Sequence, residues 1–203
     1  MMAALLLMFI LVMILALNIA TDKENENNAL KQKLQDAYGV KTQIAEELIK
    51  EFSGEAEVDK QTGDIKFKSD ILFDFDKAEL KQEGINYLGD FMPRYLNIVL
   101  SDKYVNDIAE IIVEGHTDNN GEYMYNLKLS QDRALNVAKF CIENNPKKAK
   151  MLKKIITANG RSSSNPIKTL GITDDKKSRR VELKFRIKDE KTMEIVEEIL
   201  NSY

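Results

Sequence analysis

Hydrophobic and polar positions divide this chain into parts with different periods. Residues 1–20 are apolar apart from Asn18, and they carry no charge. A helix of that length reaches about 30 Å at 1.5 Å per residue, which matches the hydrocarbon core of a bilayer. No basic stretch precedes the run and no small-x-small cleavage motif ends it, so the pattern favours an uncleaved transmembrane helix over a signal peptide.

Residues 21–54 follow as a predicted helical linker. A polar juncture leads into apolar positions spaced three and four residues apart, which outline a stripe along a helix: Leu30, Leu34, Ala37, Ile44 and Leu48. Gly39 weakens the helix near its middle. Two heptads of this kind suit either a short parallel coiled coil that pairs two copies of the chain, or an amphipathic helix packed on the following domain.

Beyond the linker the period changes from helical to alternating. Apolar and polar residues alternate in 56–58 and 65–67 around a turn that contains glycine, which indicates a β-hairpin. A strand is predicted over Ile71–Phe75, and Asp76 is placed to cap the helix that comes next. The apolar pattern of that helix continues beyond Pro93.

The rest of the chain completes a predicted domain over residues 55–188. Apolar segments separated by turns predict one more helix and three more strands: helix 126–143 and strands 110–114, 155–160 and Val181–Ile187. Strands that alternate with helices over short links indicate an α+β fold, with a mixed sheet and its helices on one face. A short C-terminal helix is predicted over 189–203.

Composition agrees with one globular domain and an appendage. The 203 residues are 43% hydrophobic and 31% charged, and acidic and basic residues mix along the chain to give a formal net charge of −3. This balance does not point to nucleic acid as a partner. The single cysteine, Cys141, falls on the apolar face of a predicted helix, where we expect it to serve as a small core residue.

The most informative residues are a carboxylate and a guanidinium that the predicted elements carry toward one rim of the sheet. Asp118 lies on the loop that leaves a buried strand, and Arg133 lies on the next helix. A planar guanidinium binds a carboxylate through two hydrogen bonds, and a free carboxylate binds an ammonium. The pair therefore suits a ligand that carries both an ammonium and a carboxylate.

Neighbouring positions at the start of the same helix point toward this arginine, because residues three and four apart share a helical face. We assign Asn126 to positioning of the ligand or the loop, and Leu129 to the floor of the pocket, with Tyr125 beside them. Of Arg179 and Arg180, one is expected to face the same site and the other to be a solvated charge.

His116 is the only histidine of the chain and precedes Asp118 by two positions. No serine or cysteine nucleophile is placed to complete a catalytic pair with it, and no second histidine is present to help bind a metal. Its expected role is structural, through hydrogen bonds within the loop. No catalytic residue, metal ligand or cofactor is therefore predicted.

At these residues the chain resembles the OmpA-like peptidoglycan-binding family. Four segments within about residues 65–187 carry the likeness: Ile71–Leu80, Gly115–Asp118, Gly160–Arg161 and Ser178–Glu182. The resemblance implies that Asp118 holds the ammonium, and Arg133 the carboxylate, of diaminopimelate in a peptidoglycan stem peptide. The further residues of the implied site are Thr117, Tyr125, Asn126, Leu129 and Arg179.

The apolar first segment resembles the transmembrane helix of stator B subunits, MotB and more closely ZorB of Zorya phage-defence systems. This resemblance implies a single-pass protein of the inner membrane with a periplasmic domain. It also implies a homodimer, with a multi-span A subunit of the ZorA or MotA type as partner. In those proteins an aspartate that carries the translocated ion comes just before this stretch, whereas the nearest acidic residue here is Asp22, at the far end of the span.

Three classes of function follow from the sequence. The first is a membrane-anchored protein that binds peptidoglycan as the B subunit of an ion-driven, stator-like motor, with phage defence favoured over flagellar rotation. The second is a simple tether of the envelope to the cell wall, without a motor. The third, an enzyme of the cell wall, is disfavoured: a glycosidase needs two carboxylates facing each other across a sugar, and Asp118 and Glu114 are too close in sequence to identify such a pair.

Overall fold

The computed structural model describes residues 2–188. Some positions near the start are described by their backbone alone: residues 2–10, 12, 27, 30, 31 and 33–38. The chain divides into two compact units between Gly39 and Val40. The predicted C-terminal helix, 189–203, lies outside the described residues.

Helix α1 (Met2–Glu51) forms the described part of the first unit and continues into the second. The described side chains from residue 11 to residue 26 are exposed, and several of them are large and apolar: Leu11, Met13, Ile14, Leu15, Leu17 and Ile19. Among the described side chains, no helix offers a stretch long and apolar enough to cross a membrane. Residues 1–10, half of the predicted span, fall outside those side chains.

The last turns of α1 belong to the core of the second unit. Ile44, Leu48 and Phe52 are fully buried, and the ring of Phe52 stacks on Phe91 with centroids 4.0 Å apart. This packing is one of the two arrangements that the sequence leaves open for the linker. The remaining positions of the predicted stripe lie among the side chains that are not described: Leu30, Leu34 and Ala37.

A five-stranded mixed sheet forms the centre of the second unit, in the order β1-β2-β7-β3-β4. Its strands are β1 (Glu57–Val58), β2 (Ile65–Lys68), β3 (Ile108–His116), β4 (Ile156–Gly160) and β7 (Arg180–Ile187). β3 and β4 pair in parallel, and the other neighbours pair antiparallel. A separate two-stranded hairpin consists of β5 (Lys168–Thr169) and β6 (Ile172–Thr173).

Side chains alternate between the two faces of this sheet, as the pleat of a strand requires. On β3 and β7 one set joins the apolar core with the helices, as Val113 and Leu183 do, and the other set is charged, as Glu114 and Lys184 are. The helices of the unit are α2 (Ser69–Leu72), α3 (Gln82–Val99), α4 (Tyr123–Glu143), α5 (Ala149–Ile155) and α6 (Asp175–Ser178). This architecture confirms the predicted mixed α+β fold.

The segment after β2 differs from the prediction. Residues Ile71–Phe75 do not form a ladder strand: helix α2 ends at Leu72, and only Phe73 makes an isolated bridge, to Leu80. Asp76 caps no helix, because α3 begins only at Gln82. The expectation for Pro93 is confirmed, since α3 continues through it to Val99.

Helix α4 lies unusually close to the sheet, and two glycines permit this approach. A Cβ atom on Gly115 of β3 would stand 2.1 Å from the carbonyl oxygen of Ser130. A Cβ atom on Gly160 of β4 would stand 2.6 Å from the backbone nitrogen of Gln131. Both distances are shorter than real Cβ contacts, so glycine is required at each position, and the close contact sets the position of α4 on the sheet.

Candidate binding site

Asp118 lies on the loop that leaves β3, as the sequence predicts, and it is 9% exposed. Its Oδ1 accepts a hydrogen bond of 3.1 Å from the backbone nitrogen of Asn120. Asn126, buried at the start of α4, donates from Nδ2 to the carbonyl oxygen of Asn120 at 2.7 Å. Asn126 therefore positions the loop that presents Asp118, which is one of the two roles expected for it.

The second oxygen of Asp118 makes an ion pair with Nη1 of Arg179, at the end of the loop before β7. Burial alone raises the pKa of Asp118, but the Arg179 guanidinium and the bonds to Asn120 outweigh it, so the pKa of Asp118 lies below its usual range. The carboxylate is therefore charged at neutral pH. Arg179 is the arginine of its pair that faces the site.

Arg133 extends from α4 into the loop between α2 and α3 and is 5% exposed. Its Nε donates to the carbonyl oxygen of Lys77 at 2.8 Å, and one Nη donates to the carbonyl oxygen of Asp74 at 3.5 Å. Its guanidinium carbon lies 5.1 Å from the ring centroid of Phe73. Within the described part of the chain Nη1 makes no hydrogen bond, so the outer edge of the guanidinium is available to an acceptor.

Asp76 and Tyr125 stand beside this guanidinium. The Tyr125 hydroxyl donates to Oδ2 of Asp76 at 2.8 Å, and both side chains interact electrostatically with Arg133. Desolvation lowers the pKa of Arg133, while the negative charges of Asp76 and Asp118 oppose that shift. Two arginines and two aspartates thus share one small region.

Thr117 and Leu129 are the remaining predicted site residues. Thr117 is buried, its backbone nitrogen donates to the carbonyl oxygen of Ser162 at 3.0 Å, and its hydroxyl has no hydrogen-bond partner among the described residues. Leu129 is half-buried on α4, about one turn before Arg133. The structure thus keeps Thr117 next to Asp118, and Leu129 on the helix that carries Arg133.

The expectation that the second arginine of this pair is a solvated charge does not hold for Arg180. Arg180 is 6% exposed and its Nε lies 2.5 Å from Oε1 of Glu182. Its Nη1 also donates to the carbonyl oxygens of Asn165 and Ser178, both at 3.2 Å. As the first residue of β7, it points away from Asp118 and toward the charged face of the sheet, because successive side chains of a strand alternate.

The expected loop hydrogen bonds of His116 are also absent. His116 is the last residue of β3, is 1% exposed, and neither ring nitrogen has a hydrogen-bond partner within residues 2–188. Its Nε2 lies 3.7 Å from Oε2 of Glu114, which is beyond the range of a hydrogen bond. His116 therefore belongs to the charged face of the sheet.

The arrangement around Asp118 and Arg133 can bind a zwitterion without any covalent chemistry. Arg133 offers an outward guanidinium edge to a carboxylate, and Arg179 adds a second positive charge nearby. Asp118 offers a charged carboxylate that already holds a cationic group. A ligand ammonium can replace that group.

Sequence reasoning missed Asp76, because its position after an apolar run suggested a helix cap. The residue has a φ of 58°, in the left-handed region that non-glycine residues seldom adopt. That conformation directs the loop of residues 74–81, whose carbonyl oxygens hold Arg133. Hydrophobic periodicity does not reveal such a turn. The sequence signal that could have pointed to it is the presence of two aspartates, at positions 74 and 76.

Residues 72–180 match the OmpA family. The Zorya protein ZorB of Escherichia coli is 38% identical over an alignment of 143 residues, which covers 64% of this chain and 60% of that protein. Outer membrane protein A of Shimwellia blattae is 34% identical over 123 residues, 61% of this chain and 46% of that protein. This chain therefore spans less than two thirds of either relative.

Among solved structures, a putative MotB-like protein from Desulfovibrio vulgaris has a TM-score of 0.54 to this chain. The match covers 75% of this chain and 94% of that chain, at 19% identity. At this identity the likeness concerns the fold alone, and it agrees with the mixed sheet and helices described above.

Proposed function

Since this chain belongs to the OmpA family, we propose that its second compact unit binds peptidoglycan. The ligand group is the diaminopimelate of a stem peptide, which presents an ammonium beside a carboxylate. Asp118 takes the ammonium and Arg133 takes the carboxylate. The observation that carries the proposal is the buried Arg133 guanidinium, anchored by Nε to Lys77 at 2.8 Å with its outer edge open.

Because Arg133 is buried, its guanidinium is poorly hydrated in the free protein. Pairing with a ligand carboxylate is therefore more favourable than it would be for an exposed arginine. A charge in a partly desolvated position interacts more strongly with its counterion than one in bulk water. Because Nε is held by a backbone carbonyl, the plane of the guanidinium is set before the ligand arrives. Little side-chain entropy then remains to be lost on binding.

Binding of the ligand ammonium at Asp118 is an exchange of cations. In the ligand-free chain Arg179 neutralises Asp118, and its side chain is 39% exposed, so it can turn toward solvent. The released guanidinium is then solvated, and its repulsion with the Arg133 guanidinium is relieved. The exchange therefore leaves both charges of the ligand paired, one with Asp118 and one with Arg133.

Sedimentation with purified diaminopimelate-type peptidoglycan tests this site. We expect Asp118→Ala and Arg133→Ala to lower the affinity at least about tenfold, which corresponds to about 1.4 kcal/mol, because each leaves one ligand charge unpaired. Arg94→Ala is the control, since Arg94 is an ion-paired arginine on α3 with partners Glu55 and Asp90.

Arg133→Lys separates charge from geometry in the same assay. Lysine keeps the charge but lacks the planar fork, so an intermediate loss is expected. Circular dichroism melts verify that each variant is folded. Wild-type sedimentation by folded Asp118→Ala and Arg133→Ala proteins would overturn the site assignment.

The proposed anchor is a single membrane span over residues 1–20, with the domain on the periplasmic side of the inner membrane. Large apolar side chains exposed together from Leu11 to Ile19 support it, because water does not favour such a surface. The proposed organisation continues with a linker over 21–54, whose last turns pack on the domain, and the wall-binding domain over 55–188.

The finer role proposed is that of a B subunit in an ion-driven, stator-like complex of the Zorya type. The 38% identity to ZorB over 143 residues supports it. Two copies of this chain and a partner with several membrane spans are then expected in one complex. Purification from the native host in mild detergent should recover that partner, and recovery of a lone monomer would contradict the role.

A wall tether without a motor is the second candidate. The 34% identity to outer membrane protein A of Shimwellia blattae over 123 residues supports it. Wall binding without a multi-span partner in the detergent preparation would support the tether. Neither role requires catalysis.

A further inference from the structure

Two carboxylates face each other on the charged face of the sheet. Glu114 of β3 and Glu182 of β7 are direct partners in the antiparallel register, and they are 8% and 6% exposed. Like charges directly opposite destabilise an antiparallel pair, and burial adds a desolvation cost. This position in the sheet therefore requires a cation.

The His116 imidazole completes a three-sided group with these carboxylates. Its Nε2 lies 3.7 Å from Oε2 of Glu114 and 3.7 Å from Oε2 of Glu182. Within residues 2–188 neither nitrogen of this buried ring has a hydrogen-bond partner, and leaving a buried polar group unsatisfied destabilises a protein. An unpartnered nitrogen directed at two carboxylates indicates a missing ligand between them.

Lys184 now supplies the positive charge. Its Nζ lies 2.7 Å from Oε2 of Glu114 and 2.8 Å from Oε2 of Glu182. The side chain of Lys184 is 25% exposed, so it can turn outward. Lys184 is thus a replaceable cation, and it leaves the imidazole unsatisfied.

We propose that Glu114, His116 and Glu182 form a binding site for a divalent transition-metal ion such as Zn²⁺, which replaces the Lys184 ammonium. One ligand atom from each residue lies within 4.8 Å of the others. Metal bonds of about 2.0–2.2 Å in a tetrahedral site place ligand atoms about 3.3 Å apart, so small side-chain rotations bring these atoms into place.

The donor set selects the class of metal. One imidazole nitrogen with two carboxylate oxygens suits Zn²⁺ or Co²⁺, whereas Ca²⁺ and Mg²⁺ prefer oxygen alone. Three protein ligands leave a fourth position for water. The sequence predicts no metal site because the chain has no second histidine, but here two glutamates serve as the other ligands. The second oxygen of Glu182 stays paired with Arg180 at 2.5 Å.

The test uses the full chain in detergent, without a polyhistidine tag, and titrates it with Zn²⁺ and with Co²⁺ as a spectroscopic probe. Wild type should bind one ion. Lys184→Met removes the competing ammonium, so it should bind at least about tenfold more tightly, a difference of about 1.4 kcal/mol. Arg186→Met is the matched control, because Arg186 lies on the same strand and face but pairs with Glu110 at 3.2 Å. It should bind as wild type.

The ligands are tested in the Lys184→Met background. Adding either His116→Gln or Glu114→Gln should abolish the visible Co²⁺ spectrum and lower Zn²⁺ affinity at least about thirtyfold. Using both variants keeps the test valid if one of them fails to fold. In wild type, Zn²⁺ should raise the melting temperature, and His116→Gln should remove that shift.

Three outcomes overturn the proposal. The first is a folded Lys184→Met protein that binds no metal. The second is metal affinity that survives both ligand substitutions, and the third is equal tightening by Arg186→Met.

Discussion

Arg179 controls how Asp118 is presented to a ligand. The side chain of Arg179 is 39% exposed and that of Asp118 is 11% exposed. The pair therefore resembles surface ion pairs, which contribute about 0.2–1 kcal/mol to stability. A ligand ammonium must first displace this guanidinium. The ion pair therefore keeps Asp118 ordered and charged, and weakens ligand binding by its own small stability.

Replacing Arg179 with alanine should tighten binding of a soluble stem peptide about two- to fivefold, since the competing cation is gone. Isothermal titration calorimetry measures this change. Lys177→Ala is the control, because Lys177 is a nearby cation that pairs with Asp174 instead. Weaker binding by Arg179→Ala would show that this arginine touches the ligand directly.

Cys141 offers a probe of unfolding. The thiol is fully buried on α4, and desolvation raises its pKa to about 12. The reactive thiolate is therefore scarce at neutral pH, and reagents cannot reach it in the folded chain. We expect modification by an aromatic disulfide only at the rate of unfolding, accelerated by urea. Rapid modification without denaturant would contradict this burial.

The sequence could predict where Asp118 and Arg133 lie, because Asp118 follows a buried strand and Arg133 stands on an amphipathic helix. It could not rank Arg179 against Arg180, since the two are adjacent just where the strand starts, and only the register, with Arg180 opposite His116, shows which one turns toward Asp118. Asp76 was missed because its role depends on a left-handed backbone conformation. Such conformations have no periodic signal.

Among the contacts between helices and strands, the one between α4 and the sheet determines where Arg133 lies. Gly115 and Gly160 let the helix backbone approach β3 and β4, while Gln131 of α4 bonds to both the Ala158 carbonyl oxygen and the Gly160 nitrogen. These contacts fix the helix on which Arg133 stands. The position of the candidate site therefore depends on two residues without side chains.

Gly115→Ala should destabilise the domain by about 1–3 kcal/mol, because the new methyl group meets a backbone carbonyl that cannot rotate away. It should also weaken peptidoglycan binding, since α4 must shift. Gly89→Ala is the matched control: Gly89 lies in α3 with nothing within 4 Å of the added Cβ, so alanine should stabilise by about 0.5–1 kcal/mol. Urea titration measures both, and equal effects would refute the close approach.

The elements with a clear period were predictable, including the short hairpin of β1 and β2, whereas helix α2 was not. The 9-residue strand β3 and the 21-residue helix α4 follow clear periods, and both predictions are confirmed with boundaries extended by two or three residues at individual ends. Helix α2 has only 4 residues, about one helical turn, so it is too short to show a hydrophobic period in the sequence. Tertiary contacts, such as the Phe73–Leu80 bridge, decide the structure there.

The boundary between Gly39 and Val40 separates the first compact unit from the second. On its C-terminal side, buried side chains of α1 complete the apolar core of the domain. Arg94 of α3 also pairs with Glu55, just after this helix, at 2.7 Å. The stable folding unit therefore includes the end of the predicted linker.

Removing residues 1–39 should leave a folded domain that still binds peptidoglycan, because Ile44, Leu48 and Phe52 remain. Removing residues 1–53 should destabilise it strongly, since each of those side chains contributes about 1.5–3 kcal/mol by burial. Urea unfolding of the two truncated proteins compares them. Equal stability would show that the end of α1 is dispensable.

The close seating of α4 has a mechanical consequence. A domain that holds a wall while its chain is pulled must carry force from the bound ligand into its sheet. Arg133 delivers such a load to α4, and the backbone contacts at Gly115 and Gly160 pass it directly to β3 and β4, with no flexible side chain between them. Those strands are joined by a continuous parallel ladder of five residue pairs, Ile111 to Gly115 with Ile156 to Gly160. Tension along that ladder is shared among its hydrogen bonds, so the grip should yield at the ligand before the domain tears.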